Sequence, residues 1–410
     1  MNKRFIVLLS PSLFTLLVLN ACTQKPAAFE CLDALGCVTI APDQPVHLAY
    51  ILALAGETAA LGEDAKGGIE IALEDRGGEV LGHPIDLTGE DGGCTKEGGT
   101  VAAGKLVEDP SIVGIIGPSC SDEVVGSMTI LSDAGLVVIS PSSTSPRLTN
   151  PEDTWKPGFF RTAHNDKIQG QVAAEFAYNE IGVRTAATIH DGSLYADALQ
   201  QVFAETFQAL GGTITFQGQV TPDQKDMALI LETIATDSPE FLYFPIFEPA
   251  GPYLVVQTKD SPNLATTILM GADGLLVDPF PENAGAPAIG MYLSGPFVSG
   301  PQYDSFLAKW QAKFGTPPPS GFHAHAYDAT NLLLDAIAAV ATQDADLTLH
   351  IGRQALRDYL STITDFQGLT GELTCTKFGD CSTGKALVIF QITEAEVNEG
   401  HWPPPVIWTP

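Results

Sequence analysis

Hydroxyl and carboxylate side chains stand just beyond several apolar runs, where they could hold a small charged solute. Ser121 follows the run 112–117 and opens a stretch of helical period, so its hydroxyl and amide could serve a carboxylate. Ser142 and Thr144 follow the run 137–140 and add two hydroxyls. Asp273 stands just past the run 267–271 and could accept from an ammonium, a pairing strengthened by charge. Tyr195 follows the run 185–190, Phe247 ends the run 241–247, and both could cover apolar surface. Were the solute a zwitterion, such a set would offer donors to one end and an acceptor to the other. Each residue also has an ordinary structural reading: a helix cap for Ser121, a polar loop for 142–145, a turn for Asp273 in Gly-Ala-Asp-Gly, and core for Phe247.

Reactive constellations are missing. Gly117-Pro118-Ser119-Cys120-Ser121 lacks the final glycine of a nucleophile elbow, and neither His-Glu-x-x-His nor a phosphate-cradling glycine loop occurs. His323 and His325 with Asp328 could be drawn as a metal trio, but 323 and 325 do not share a helix face. No catalytic residue, metal or cofactor is expected.

The elements that must position these side chains are legible as alternation. Strand-like runs at 47–54, 85–89, 112–117 and 137–140 alternate with helical stretches at 63–75, 95–108 and 122–134. A second series has strands at 185–190, 213–220, 241–247 and 267–271, with helices at 166–180, 195–210, 226–235 and 251–259. Helices 303–314, 323–342 and 352–362 and a strand at 387–392 follow. Two βαβ series predict an α/β fold of two doubly wound parallel-sheet lobes. In such sheets ligands sit beyond the carboxyl ends of strands, where Ser121, Ser142, Thr144 and Asp273 fall.

The 410 residues carry 20 Lys and Arg against 49 Asp and Glu, a formal charge of −29 that argues against nucleic acid as a partner. Lys3 and Arg4 precede a largely apolar stretch, 5–19, which suits a signal-peptide core. It ends in Leu19-Asn20-Ala21-Cys22, which resembles a bacterial lipobox. Residues 1–21 are therefore expected to be removed and Cys22 lipidated, followed by a tether to residue 45. The alternative is an ordinary signal peptide cut nearby. Lipidation would consume one of the seven cysteines and leave six for an oxidising compartment. Cys31–Cys37 and Cys375–Cys381 are expected as local loops and Cys94–Cys120 as the longer bridge.

Several segments in order resemble the type I solute-binding proteins of ABC transporters, above all the leucine/isoleucine/valine-binding class. They are Arg76-Gly77-Gly78-Glu79-Val80-Leu81-Gly82, Ile139-Ser140-Pro141-Ser142-Ser143-Thr144 with Pro146 and Leu148, and Phe160-Arg161-Thr162 with Asp166 and Gln169-Gly170. Ala326-Tyr327-Asp328-Ala329 and Phe366-x-Gly368-x-x-Gly371 complete the series, and the likeness spans roughly 46–395. It implies two lobes joined by a three-stranded hinge with the ligand cleft between them. By this likeness 46–163 with about 297–367 form the first lobe, and 164–296 with about 368–410 form the second. It assigns Ser121, Ser142 and Thr144 to a ligand's amino-acid backbone, Asp273 to its ammonium, and Tyr195 and Phe247 to the cleft wall. It also supports Cys94–Cys120. Leu61 stands where many members have an aromatic, which predicts a roomier or more aliphatic pocket.

The resemblance further implies a monomeric, extracytoplasmic, lipid-anchored receptor for a small branched-chain-like amino acid. Its partners would be that solute, an ABC permease with its ATPase, and a membrane reached through the anchor. A sensing module for a signalling partner is the alternative, as is a binder of an amide, urea or aromatic acid.

Overall fold

The computed structural model describes Met1 and residues 29–382, 384 and 386–410; the expected leader and Cys22 lie outside these. Short strand β1 (Cys37–Ile40) leads into β2 (Val46–Leu52), α1 (Ala59–Asp75), β3 (Glu79–Val80) and β4 (His83–Asp91). Next come α2 (Lys96–Leu106), β5 (Ile112–Ile116), α3 (Ser121–Asp133), β6 (Val137–Ser140) and β7 (Phe159–Arg161). These strands form a sheet of order β3-β4-β2-β5-β6-β7, parallel except at β3. The central strands are buried on both faces, which is why they read as continuous apolar runs rather than alternating ones.

The chain then crosses to the second lobe. There α4 (Asp166–Glu175), β8 (Thr185–His190), α5 (Leu194–Ala209), β9 (Thr213–Gln219) and α6 (Ala228–Ala235) follow in turn. Then come β10 (Phe241–Tyr243), α7 (Ala250–Asp260), β11 (Ile268–Gly271), α8 (Pro279–Ala284) and β12 (Tyr292–Pro296). A second crossing after β12 returns the chain to the first lobe as α9 (Pro301–Phe314) and α10 (His323–Val340). Helix α10 buries Ala329, Leu332, Leu333 and Ile337 in one core with Leu48, Val113 and Ile139 of the sheet. Strand β14 (Leu349–Gly352) pairs with β1 on one side and with β13 (Thr342–Gln343) on the other, and α11 (Arg353–Ser361) follows. The hairpin of β15 (Phe366–Gly368) and β16 (Gly371–Leu373) comes next. Finally β17 (Leu387–Gln391), α12 (Glu394–Glu399) and β18 (Val406–Trp408) complete the second sheet, of order β18-β17-β12-β11-β10-β8-β9.

The structure departs from expectation in places. Both sheets are mixed: β17 runs antiparallel to β12, and β18 antiparallel to β17. The strand expected over 241–247 ends at Tyr243, and the helix expected over 166–180 is regular only to Glu175 before a π-helical turn stops it at Gly182 (φ 84°). The third crossing lies later than about 368. Leu373, Cys375 and Cys381 pack in the first-lobe core, and Asp328 of α10 accepts the Leu369 and Thr370 amides at 2.8 and 2.9 Å, so the chain crosses between Ser382 and Leu387. The six described cysteines form Cys31–Cys37, Cys94–Cys120 and Cys375–Cys381, the pairing expected.

Candidate functional site

Between the lobes lies a crevice lined from the first lobe by Leu61, Ser119, Cys120, Ser121, Ser142, Thr144 and Phe322. Tyr195, Phe247, Asp273 and Gly274 line it from the second. All seven positions singled out in the sequence meet here. The crevice encloses only about 10 Å³ of free volume, roughly what one water needs, so the lobes are shut on each other. Larger hollows lie elsewhere. One of about 610 Å³ on the first lobe has its Arg76 already paired with Asp335 and its Lys309 with Asp75.

The donor wall follows from α3. Its N-cap is Cys120, not Ser121. The Cys120 sulfur, held in the disulfide, makes no capping hydrogen bond, and the buried Glu123 carboxylate takes the Cys120 and Cys94 amides instead, at 2.9 and 2.8 Å. Burial pushes Glu123 up to about 7 against those bonds. Ser121 occupies the first helical position, and its hydroxyl accepts the Ser145 amide at 3.2 Å. The Ser142 hydroxyl donates to the Ser119 carbonyl at 2.8 Å, and the Ser119 hydroxyl takes the Ala53 amide at 3.1 Å. Beneath this loop Arg161, fully buried, donates to the carbonyls of Ser143 and Ser145 at 3.1 and 2.8 Å and to the Asp380 carboxylate at 2.7 Å. One guanidinium thus fixes the path of the Thr144 segment and ties it to the strap before the third crossing.

The acceptor wall belongs to the second lobe. Asp273 opens a short helical turn after β11, and its Oδ1 receives Gln169 Nε2 at 2.6 Å and the Tyr195 hydroxyl at 2.9 Å. Burial raises its carboxyl to about 6 despite those two bonds. The Tyr195 hydroxyl also accepts the Gly274 amide at 3.2 Å, and its ring lies 5.0 Å from that of Phe247. Gln169 Nε2 faces Asp273 and Ser294, so its Oε1 faces His164 and must accept from His164 Nε2 at 2.5 Å. Burial holds His164 neutral, down to about 4.

Sequence reasoning passed over four participants. Gln169 orients Asp273. Phe322, just before α10, closes the floor. Gly274 brings its amide to the tyrosine. Asp166, in the first turn of α4, is wholly buried, with the Thr144 hydroxyl near it and no cationic side chain bonded to it among the described residues. Burial first, then the Asp273 charge, push Asp166 well above the usual carboxylate range. A signal existed: Asp166 and Gln169 lie one turn apart on a helix that begins immediately after the first crossing, which must face the other lobe.

Polar contacts bridge the lobes at the start of α5, and also where the Asp278 amide donates to the Pro319 carbonyl at 3.0 Å. Asp122 Oδ2 of α3 accepts the Leu194 amide at 2.9 Å, and the Ser145 hydroxyl reaches the Leu194 carbonyl at 3.3 Å. Arg147 approaches Asp197 at 3.7 Å. His323, His325 and Asp328 each have a separate structural partner. His323 pairs with Asp64, His325 binds the Thr162 carbonyl, and Asp328 serves the hairpin amides.

A family model described as periplasmic binding protein matches residues 45–395. The chain belongs to that family. It is a type I solute-binding protein of the ABC-transporter kind, in the leucine/isoleucine/valine-binding group. It is 27% identical over 340 residues to the Leu/Ile/Val-binding protein BraC3 of Rhizobium johnstonii, covering 81% of this chain and 90% of that one. An amino acid binding protein of Pseudomonas aeruginosa is 26% identical over 298 residues, 70% of this chain and 77% of its own. Among solved structures, a leucine binding protein of Thermotoga maritima superposes with a TM-score of 0.77 at 23% identity, over 89% of this chain and 99% of that one. A solute binding protein of R. palustris in complex with benzoate gives 0.74 at 18% identity, over 89% of this chain and 96% of that one. Both share the fold of this periplasmic binding protein. No helix among the described residues is long and apolar enough to cross a membrane.

Proposed function

We propose that this protein is an extracytoplasmic receptor, anchored through lipid on Cys22, that captures a small α-amino acid of the branched-chain type and presents it to an ABC importer. The observation that carries this reading is the facing of two walls. The first-lobe wall carries the Ser121 hydroxyl at the start of a 13-residue helix with Thr144 beside it, an arrangement suited to a carboxylate, while the Ser142 hydroxyl holds the Ser119 carbonyl. The second-lobe wall carries Asp273, with Asp166 close behind, both buried and neither bonded to a cationic side chain among the described residues. An ammonium between them would receive charge-assisted hydrogen bonds. Leu61, Phe247 and Phe322 would cover an aliphatic side chain. The closed lobes admit a ligand only by parting, and the energy of binding would draw them together again.

Benzoate, bound by one structural neighbour, suits this crevice poorly. An aromatic acid brings no cation, and its charge would add to that of the buried aspartates. Calorimetry of the purified protein against L-leucine, L-isoleucine, L-valine, L-alanine, benzoate and acetamide tests the reading. Micromolar or tighter binding of at least one amino acid is expected. Binding of benzoate or acetamide alone would reject the ligand class.

A further inference from the structure

We infer that capture exchanges the ligand's ammonium for a proton held between Asp166 and Asp273. This rests on the amino-acid reading above and concerns what the empty site must do. Asp273 lines the crevice and Asp166 is buried on the helix that backs it; Gln169, one helical turn from Asp166, donates to Asp273 at 2.6 Å, and the Asp273 charge acts on Asp166. Neither is bonded to a cation. Groups facing the pair were considered from every surrounding element. Arg161, at the end of β7, is committed to Asp380 and to backbone carbonyls. His164 donates its Nε2 proton to Gln169, stands 3.9 Å from Asp166, and has a buried, unpartnered Nδ1 that leaves a second proton unsolvated. His325, from α10, donates to the Thr162 carbonyl. Tyr195 and Tyr243 bring hydroxyls but no charge, and Thr144 brings a hydroxyl to the Asp166 side.

A doubly ionised pair would therefore be left uncompensated until an ammonium arrives, and like carboxylates so placed retain a proton. When an ammonium enters, it supplies the missing charge. The O–H bond of the protonated member breaks, its electron pair stays on the carboxylate, and the proton leaves for solvent. Asp273 lies at about 6, and burial first, then its neighbour's charge, hold Asp166 well above the usual carboxylate range. The ligand's ammonium stays charged through this range. Affinity therefore falls as pH drops, by up to about tenfold per pH unit below the pair's titration.

The test is calorimetry with L-isoleucine, L-leucine, L-valine and L-alanine between about pH 5 and pH 8, in two buffers of different ionisation enthalpy. Release of up to about one proton per ligand is expected near pH 6, with Kd rising toward acid. Infrared difference spectra on ligand addition should lose a protonated-carboxyl band. In Asp166→Asn that band should be missing and the pH dependence displaced toward acid, with melting at or above the parent's temperature as the check on folding. Binding with a flat pH profile and no proton release would overturn the exchange and leave the receptor reading intact. Absence of amino-acid binding at every pH would overturn both. An unchanged infrared band in Asp166→Asn would overturn the assignment to this pair.

Discussion

At the scale of single residues, the site is a balance between donors that are already satisfied and acids that are not. Replacing Asp273 by Asn keeps its shape and hydrogen-bonding reach but removes its charge. Losing a charge-assisted bond of about 1.5–3 kcal/mol predicts a ten- to hundredfold weaker Kd for amino acids. Folding stability at pH 7 should be unchanged or higher, because the ionised carboxyl is disfavoured by burial. Calorimetry and thermal melts separate the two effects. Ser121, Ser142, Thr144 and Asp273 share this crevice because strand ends of a parallel sheet converge on one edge, and a reader can place them by counting from the apolar runs, whereas Leu61, Tyr195 and Phe247 were legible only through the family resemblance. Asp166 and Gln169 stayed illegible as site residues for the opposite reason. They lie on a helix, and only the direction of the first crossing turns that face inward.

At the scale of elements, α5 and the Thr144 loop decide how the two walls meet. The Asp122 carboxylate sits on the first amide of α5, where a negative charge is favoured by the exposed N–H groups of the helix start. Asp122→Asn should weaken closure by about 0.5–1 kcal/mol, seen as a two- to fivefold faster ligand release in stopped-flow measurements with little change in melting temperature. Arg161→Ala should be far more disruptive. It strands Asp380 and two backbone carbonyls beside a fully buried void, and the expected cost is about 3–5 kcal/mol in denaturant unfolding. Helix α1 shows how tightly an element can be seated: a Cβ at Gly62 would overlap the Ala53 carbonyl, so only glycine lets Leu61 reach the crevice beside it. The long buried strands and amphipathic helices could be read from periodicity. Strand β7 could not, since three buried residues carry no period, and the antiparallel pairing of β17 to β12 joins positions about 100 residues apart.

At the scale of the whole molecule, buried acids set the response to pH. Glu123 is raised to about 7, Asp273 and Asp328 to about 6, and Asp166 is raised as well. Each binds its proton more readily folded than unfolded, so each adds stability as pH falls from about 7 toward 4. His164 and His325, lowered to about 4 and 3, act the other way, since the unfolded chain protonates them first and stability is lost as pH falls below about 6.5. The acids outnumber the histidines, and acidification also relieves the repulsion implied by a net charge of −29. The unliganded protein should therefore melt at a higher temperature near pH 5 than near pH 8, measured by calorimetric scans. A maximum at or above pH 7 would contradict this account.

The three crossings carry one more consequence, for how such a molecule comes into being. The first sheet is roofed by α10, more than 180 residues downstream of β6, and the second is completed by β17 near the carboxyl end. Neither half can be assembled from a nascent chain in the order of its synthesis. A polypeptide stopped at residue 320 would display two unfinished sheets with bare apolar faces, ready prey for proteases and for one another, so maturation must wait for the final stretch to arrive.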